Sequence, residues 1–338
     1  ARGSDLALVA RLDLPDRRGR RRARADRRVP QDGHRPALPR RQARQRARAL
    51  TSVELLERCS FPPPGAPVAC AFSGGPDSTA LLALACAAGL TVTAHHVDHQ
   101  LRPESAAEAD QAAAIADALG AEFVLHRVDV GAGHNLEARA RAARWGVLPA
   151  DALTGHTADD QAETVLLRLM RGSGALGLSA ITPGPTRPLL RLRRAETEAI
   201  AAGVAAQHGV AIVSDRSNAD PAFRRNRVRH EVLPLLASVA DRDVVPLLTR
   251  TADLLRADDD LLERLSAALD PTDARALAAA EPVLARRALR RWLSVAGYPP
   301  DAAAIERVLD VARGRGTACE LPGGTRVERS AQRLSIRP

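Results

Sequence analysis

The chain has 338 residues, long enough for two medium domains, and 45% of them are apolar while only 2% are aromatic, so we expect a core of Ala, Leu and Val. The formal net charge is +9, which by itself suggests a nucleic-acid partner. No run approaches the ~18 consecutive apolar residues of a membrane-spanning helix, and no apolar segment near the start resembles a secretory signal, so we expect neither a membrane protein nor a secreted one.

The positive charge is concentrated in the first part of the chain. Residues 1–50 hold 16 arginines and 5 aspartates, a charge of +11, so the remaining chain carries −2. Because residues 1–50 show no steady apolar period, we predict that they form a disordered, Arg-rich extension whose removal leaves activity nearly unchanged. The alternative is a basic arm that binds RNA. Elsewhere, an RNA-binding surface must come from local arginine clusters.

The four cysteines are scattered along the chain. No two of them have the Cys-x-x-Cys spacing of zinc, iron–sulfur or dithiol sites. We therefore expect reduced thiols and a cytoplasmic protein. The sequence leaves the oligomeric state open, with a homodimer as one candidate.

From about residue 51, short apolar runs alternate with Ala-rich segments. The predicted strands are 68–72, 90–97, 122–128, 151–156 and 210–213. The predicted helices are 77–88, 105–119, 136–147, 158–170 and 194–208. Strands and helices at this spacing form βαβ units, so we predict an α/β domain with a Rossmann-like parallel sheet over residues 51–217.

The pattern changes in the last third of the chain. After a polar, Arg-rich link, residues 243–312 carry Leu at three- and four-residue intervals, which predicts amphipathic helices. A Pro-Gly-Gly turn between short apolar runs then predicts a small β element. We therefore predict a mostly helical second domain over residues 218–338.

Residues 73–79, Ser-Gly-Gly-Pro-Asp-Ser-Thr, follow the first predicted strand and precede a predicted helix. At this position in a parallel α/β sheet, glycines allow backbone N–H groups to approach phosphate oxygens at a helix N-terminus. All 49 basic residues of the chain are arginines, so the Gly-Lys-Ser/Thr of a Walker loop is absent, and no G-x-G-x-x-G follows a strand. A different kind of phosphate site is predicted.

The Ser-Gly-Gly-x-Asp-Ser pattern resembles the loop of the N-type ATP pyrophosphatases, the PP-loop superfamily. That resemblance implies transfer of AMP from ATP to a carbonyl-type oxygen, with release of pyrophosphate. It implies that Asp77 acts catalytically through Mg²⁺, although Asp77 also suits a helix N-terminus without any ligand. It implies that ATP is bound by the following residues: Ser73, Gly74, Gly75, Pro76, Asp77, Ser78 and the backbone around Val97.

A second cluster of polar residues lies in the stretch "GHTADDQAE" (155–163). Thr157 and Asp160 have capping-box spacing, which accounts for one carboxylate. Asp160 and Glu163 are three residues apart and therefore share a helix face, and His156 precedes that face at a predicted strand end. Two carboxylates and a histidine in this position suit an ammonium group or Mg²⁺.

Four ordered motifs narrow the superfamily. They are "AHHVDHQLRPES" (94–105), "NLEARARAARW" (135–145), "GHTADDQAETVLLRLMRGSGALGLSAI" (155–181) and "DRSNADPAFRRNRVRHEVLPLL" (215–236). Together they resemble the tRNA(Ile)-lysidine synthetase family, closely over residues 66–236. That resemblance implies an ATP-dependent ligase that joins free L-lysine to the wobble cytidine of a CAU-anticodon isoleucine tRNA.

The same resemblance assigns roles to individual residues. It implies that Asp160, Glu163 and Arg144 bind the lysine substrate. It implies that His156 and Arg229 are catalytic, His156 lying beside the reacting base. The arginines that crowd the same short segment suit contact with tRNA phosphate or with the pyrophosphate, and the alternative is a solvated basic helix start. We predict that they bind tRNA, together with the helical second domain. They are Arg224, Arg225 and Arg227.

Three alternatives differ in their sequence requirements. A tRNA 2-thiolation enzyme of the same superfamily usually needs a Cys-x-x-Cys pair or cluster ligands, which are missing. Amide-forming ATP pyrophosphatases lack the signatures at 155–163 and 223–230. A non-enzymatic RNA-binding protein would leave the phosphate loop unexplained.

Overall fold

The computed structural model describes residues 52–101, 104–131, 133, 136–214, 220–294, 300–321 and 324–337. The predicted disordered extension, residues 1–50, lies outside them. Described residues up to Glu163, together with Ile181–Val245, form one compact unit, and Thr164–Ala180 with the described residues from Pro246 onward form another. The predicted division at residue 217 stays a prediction. By packing, residues 220–245 belong to the first unit.

The secondary structure follows the predicted order. The helices are α1 (Ser52–Glu57), α2 (Pro76–Ala87), α3 (Ser105–Ala118), α4 (Leu136–Val147), α5 (Ala158–Leu169), α6 (Ala175–Leu178), α7 (Arg194–His208), α8 (Arg224–Arg227), a π-helical turn (Val228–Val232), α9 (Leu233–Ala240), α10 (Val245–Ala267), α11 (Ala274–Ala279), α12 (Pro282–Leu293) and α13 (Ala302–Ala312). The strands are β1 (Pro67–Ala71), β2 (Thr91–Asp98), β3 (Glu122–Arg127), β4 (Ala318–Glu320), β5 (Arg326–Ser330) and β6 (Arg333–Arg337).

The sheet of the first unit is parallel, in the order β1-β2-β3. Helices α2 and α3 follow β1 and β2, so the predicted Rossmann-like α/β arrangement is confirmed. Glycines at 89 and 120 lie just after these helices with φ values of 73° and 71°, the left-handed conformation that commonly ends a helix.

One predicted strand is reduced to a single bridge, and the prediction of another is wrong. The run 151–156 contributes one parallel bridge, in which Leu153 exchanges hydrogen bonds with the backbone of Ala69 and Ala71 at 2.7 and 2.8 Å. The next amide, that of Thr154, donates instead to the carbonyl of Thr186 at 2.9 Å, so the chain leaves the sheet after one residue. The run 210–213 forms no strand; the amide of Val213 donates to the Gly74 carbonyl at 3.0 Å.

The core of the first unit is made of small and branched aliphatic side chains, as the composition predicts. Helix α2 is buried on nearly all its surface, since every residue from Ser78 to Ala85 is buried, and Leu81, Leu82 and Leu84 belong to the core cluster. Ile115 of α3 and Leu189 complete the densest part of this cluster. Rigid packing here holds the start of α2 in place, where the phosphate loop lies.

The second unit has its own core. Helices α11, α12 and α13 bury Leu277, Leu289 and Leu309 against the antiparallel sheet β4-β5-β6, which contributes Val327 and Leu334. The predicted mostly helical region with a small β element is thereby confirmed. Among the described residues, no helix combines the length and the apolarity that a membrane span requires.

Candidate active site

The phosphate loop connects β1 to α2 and is held by its own side chains. Ser78 Oγ donates to the Gly75 carbonyl at 3.0 Å and accepts from the Ser73 amide at 3.2 Å. Thr79 Oγ1 donates to the Gly74 carbonyl at 3.3 Å. Gly75 is the N-cap residue and Pro76 stands in the first turn of α2, so the positive end of this helix lies at the loop.

Gly74 is required by the geometry of this loop. Its φ of +77° is a left-handed conformation that L side chains rarely adopt. A Cβ at this position would also lie 2.6 Å from Val213 Cγ2 and 3.3 Å from Ala112 Cβ. Only glycine therefore lets the loop pack this closely against its surroundings.

Asp77 stands in the first turn of α2. Its Oδ1 accepts a hydrogen bond from Thr197 Oγ1, and its Oδ2 lies 3.9 Å from Arg194 Nε. Burial raises the pKa of Asp77, and the negative charge of Asp160 raises it further, while Thr197 and Arg194 oppose the rise. The fold therefore disfavours the charge of a carboxylate that is still 33% exposed.

The capping box predicted at the start of α5 is present. The Thr157 amide donates to Asp160 Oδ2 at 2.7 Å, and Thr157 Oγ1 donates to the same oxygen at 2.8 Å. Asp160 Oδ1 does not take part in the cap. Asp160 Oδ1 and Glu163, one helical turn later, both accept hydrogen bonds from the guanidinium of Arg194, as expected for two residues that share a helix face.

Three arginines converge on Asp160 and Glu163, forming what we call the acid–arginine cluster. Arg194 Nη2 lies 2.9 Å from Asp160 Oδ1, and its Nη1 lies 2.8 Å from Glu163 Oε1. Arg225 spans the same pair, with Nη2 2.9 Å from Asp160 Oδ1 and Nε 2.6 Å from Glu163 Oε2. Arg229 Nε lies 2.8 Å from Glu163 Oε1.

Burial and charge oppose each other in this cluster. The side chain of Glu163 is 0% exposed and that of Asp160 is 11% exposed. Burial alone would raise the pKa of Asp160, but the charges of Arg194 and Arg225 hold it below its ordinary value. Asp160 is therefore ionised at neutral pH and depends on its arginine partners to remain so.

The first turn of α7 supplies two site residues that sequence reasoning missed, Arg194 and Thr197. It is fixed by Asp159, whose Oδ2 accepts from the Arg194 amide at 2.8 Å and from Arg193 Nε at 3.0 Å. The sequence feature that could have identified Arg194 is the pair Arg193-Arg194 at the start of a predicted helix, where the helix dipole disfavours positive charge. Basic residues at that position indicate an acidic partner from elsewhere in the chain.

His156 lies where the chain leaves its bridge with β1. Thr154 Oγ1 donates to the Thr186 carbonyl at 3.1 Å, so it accepts from His156 Nδ1–H at 2.8 Å, and this network assigns the lone pair to Nε2. Burial lowers the pKa of His156 to about 4, with Asp160 opposing and Arg225 adding to the decrease. The imidazole is therefore neutral at neutral pH. The preceding Gly155 packs against α2, since a Cβ there would lie 2.7 Å from the Asp77 carbonyl oxygen.

The two remaining predicted binding residues lie at the same end of the sheet. Val97 is near the carboxyl end of β2, beyond the point where pairing with β1 stops at His95. Arg144 stacks over Trp145, with 5.7 Å between Cζ and the ring centroid, and burial lowers its pKa. Its charge also lowers the pKa of His156. No described carboxylate forms an ion pair with Arg144.

The arginines of residues 224–229 divide into two sets. Arg225 and Arg229 contact the buried carboxylates, whereas Arg224 and Arg227 are exposed. Arg227 pairs with Glu231, one turn away, at 3.0 Å. The tRNA contacts predicted for Arg224, Arg225 and Arg227 and the catalytic role predicted for Arg229 stay predictions.

Two family models match the chain. The PP-loop domain covers residues 50–236, and the TilS substrate binding domain covers residues 273–335. The first contains the phosphate loop and the whole acid–arginine cluster. The second corresponds to the α11–α13 helices and most of the antiparallel sheet of the second unit.

Curated relatives agree with these matches. A protein of Nocardia farcinica named tRNA(Ile)-lysidine synthase is 45% identical over 76% of this chain and 86% of its own length. Proteins of the same name from Rhodococcus jostii and Thermobifida fusca are 42% and 41% identical, over 77% and 79% of this chain and 85% and 90% of theirs.

Among solved structures, a U34-tRNA thiolase of Methanococcus maripaludis overlaps with a TM-score of 0.47 at 15% identity, over 61% of this chain and 77% of that one. A TM-score this low supports no functional comparison. The family matches and the curated relatives show that the chain belongs to the tRNA(Ile)-lysidine synthase family, within the ATP-using PP-loop proteins.

Proposed function

We propose that this chain uses ATP to join free L-lysine to the wobble cytidine of a CAU-anticodon isoleucine tRNA, giving lysidine, AMP and pyrophosphate. The observation that carries the proposal is the connection between the phosphate loop and the acid pair. Asp77 of the loop and the pair Asp160 and Glu163 all lie around the guanidinium of Arg194. Phosphate-binding and amine-binding groups are therefore side by side.

The reaction has two steps. The O2 oxygen of cytosine first attacks the α-phosphorus of ATP, and the bond to the β-phosphate breaks to release pyrophosphate. The ε-amine of lysine then attacks C2, and the C2–O2 bond breaks so that AMP leaves with that oxygen. The phosphate loop suits the first step because it offers backbone and hydroxyl donors to the departing phosphates at the N-terminus of α2.

Asp77 fits a Mg²⁺ ligand. The ion is usually held by one or two carboxylates together with substrate phosphates, and it would offset the charge that burial disfavours at Asp77. Within the described residues, no group of three or more His, Cys, Asp or Glu forms a metal site, so ATP would supply the other ligands. When bound, Mg²⁺ would reduce the repulsion between Asp77 and the phosphates.

Asp160, Glu163 and Arg144 form the proposed lysine site. An ammonium group donates three hydrogen bonds, which suits two carboxyl groups that share one helix face. Arg144 can hold the lysine carboxylate through two parallel hydrogen bonds, because no described acid occupies its guanidinium. A site with acids at one end and an arginine at the other recognises a free amino acid.

A proton must leave the amine before it attacks. His156 is neutral, and its Nε2 lone pair is unengaged by the Thr154 network, so it can accept that proton. Arg229, which contacts Glu163, is the proposed catalytic arginine that stabilises negative charge on the reacting phosphate.

The tRNA contacts are proposed on the exposed side of residues 223–227. Arg224, Arg227 and, once released from the acids, Arg225 can bind backbone phosphates. Phe223, 38% exposed beside them, can stack on an extruded base. The second unit adds the region that matches a substrate binding domain. A homodimer and a cytoplasmic location stay predictions.

The raised pKa values of three cysteine thiols argue against the tRNA 2-thiolation alternative. Burial raises the pKa of Cys70 to about 12 and that of Cys86 to about 11, so neither thiol forms a reactive thiolate at neutral pH. Cys59 is similar, with its pKa raised to about 12 by burial. Sulfur transfer through a cysteine persulfide lacks a suitable nucleophile among these three.

The proposal is tested by incubating the protein with ATP, Mg²⁺, labelled lysine and tRNA transcripts. Label is expected in the CAU-anticodon isoleucine tRNA and not in a transcript whose wobble cytidine is replaced. If folded protein that binds ATP transfers no label, the proposed function is wrong.

A further inference from the structure

The proposed amine site is already filled by cations of the chain itself. Asp160 Oδ2 is used by the Thr157 cap, and Oδ1 accepts from two arginines. Both oxygens of Glu163 also accept from arginines. Since three arginines face three carboxylates (the third is Asp77), the cluster is electrically balanced and has no charge left for a substrate ammonium.

The three arginines are not equally able to leave. The side chain of Arg194 is 15% exposed, and its amide is bonded to Asp159. Arg229 is 22% exposed and Arg225 is 41% exposed. Returning Arg225 to water therefore requires the least rearrangement, and it leaves Arg194 as a fixed counter-ion for the acid pair.

Arg225 also has the geometry of a substitute for the substrate. Its Nε and Nη2 donate to Glu163 Oε2 and Asp160 Oδ1, one oxygen from each acid of the pair. An ammonium placed between the acids would use these same two oxygens. Helix α8, which carries Arg225, continues directly into the π-helical turn Val228–Val232. A π-helical turn is a local irregularity that occurs often at functional sites.

We propose that Arg225 occupies the amine site of the unliganded enzyme and is exchanged for the lysine ammonium when a phosphate group draws it away. This inference rests on the proposed function of the Asp160–Glu163 pair. The phosphate comes either from ATP or from the tRNA backbone. With Arg225 gone, Arg194 and Arg229 remain facing Asp77, Asp160 and Glu163, so the cluster carries one net negative charge, which matches one ammonium.

The exchange makes lysine binding depend on the phosphate ligand. Because coupling between two sites is reciprocal, a ligand that removes Arg225 tightens lysine binding by the same factor as lysine tightens that ligand. We expect a factor of about tenfold, within the usual range for coupled sites. Free lysine then binds well only to an enzyme that already holds its other substrate.

Equilibrium dialysis with labelled lysine tests the exchange. Wild type, Arg225→Gln and the control Arg242→Gln, which changes an exposed arginine of the same unit, are measured alone, with α,β-methylene ATP and with tRNA. We expect Arg225→Gln to bind lysine about tenfold more tightly than wild type when alone, and to gain little from either ligand. Arg242→Gln should match wild type, and the ligand that tightens lysine binding to wild type identifies the source of the phosphate.

Unchanged or weaker lysine binding by Arg225→Gln alone would overturn the inference, and so would the absence of coupling in wild type. If Arg225→Gln does not fold, Arg225→Lys, which keeps the charge but loses the two-point contact, should show an intermediate affinity; wild-type affinity would contradict the exchange. Lysine incorporation by wild type is measured in parallel. Incorporation without these effects refutes the exchange alone, whereas no incorporation refutes the proposed function.

Discussion

Replacing Glu163 by glutamine tests the acid–arginine cluster most sharply. Glu163 is 0% exposed and accepts hydrogen bonds from three guanidinium groups. Glutamine keeps the shape but removes the charge, so three arginines would share two carboxylates. Removing one partner of a buried ion pair costs about 3–5 kcal/mol. The arginines retain 15–41% exposure and recover some hydration, so we expect a loss of about 2–3 kcal/mol.

Thermal unfolding measures this loss. At roughly 2–4 °C per kcal/mol for a domain of this size, Tm should fall by about 5–10 °C. The matched control is Glu231→Gln, since Glu231 also pairs with an arginine but is 52% exposed, and its Tm should not change measurably. Lysine incorporation should also fall sharply in Glu163→Gln. Equal Tm values for the two variants would refute the assignment of Glu163 as the buried centre of the cluster.

Four further predictions follow from the site. Asp77→Asn should abolish pyrophosphate release without lowering Tm, because burial raises the pKa of Asp77 and the fold already disfavours its charge; retained turnover would remove its assigned role. Gly74→Ala should lose ATP affinity and about 1–2 kcal/mol of stability from the left-handed backbone, with the contact to Val213 adding to the loss. Arg144→Leu should raise the KM for lysine about 10- to 100-fold at nearly constant Tm, since a charged hydrogen-bonded contact contributes about 1.5–3 kcal/mol. Between pH 6.5 and about 4 the imidazole of His156 is protonated in the unfolded chain but not in the folded one, so stability should fall by on the order of 3 kcal/mol as pH is lowered through this window; His156→Gln should remove that part of the pH dependence.

The local features of this site are predictable from the sequence. The start of α2 at the phosphate loop, the Thr157–Asp160 cap and the shared face of Asp160 and Glu163 all depend on residues within a few positions of one another. Their spacing fixes their geometry, because capping and helix-face contacts obey short-range rules.

The long-range features are not predictable in the same way. Thr197 reaches Asp77 across 120 positions, and Arg194 reaches Asp160 across 34. No local rule links such residues, so the fixed counter-ion of the acid pair was missed. The predicted strand at 151–156 is shortened for a similar reason, since the Thr154 amide bonds to distant Thr186 instead of the sheet.

The mass of the modified nucleoside tests the central claim most directly. Purified protein is incubated with ATP, Mg²⁺, lysine and a CAU-anticodon isoleucine tRNA transcript, and the digested product is analysed by mass spectrometry. We expect the wobble cytidine to gain the mass of one lysine minus one water, with one AMP and one pyrophosphate released per modified tRNA. An unmodified cytidine, or one whose oxygen has been replaced by sulfur, would contradict the account.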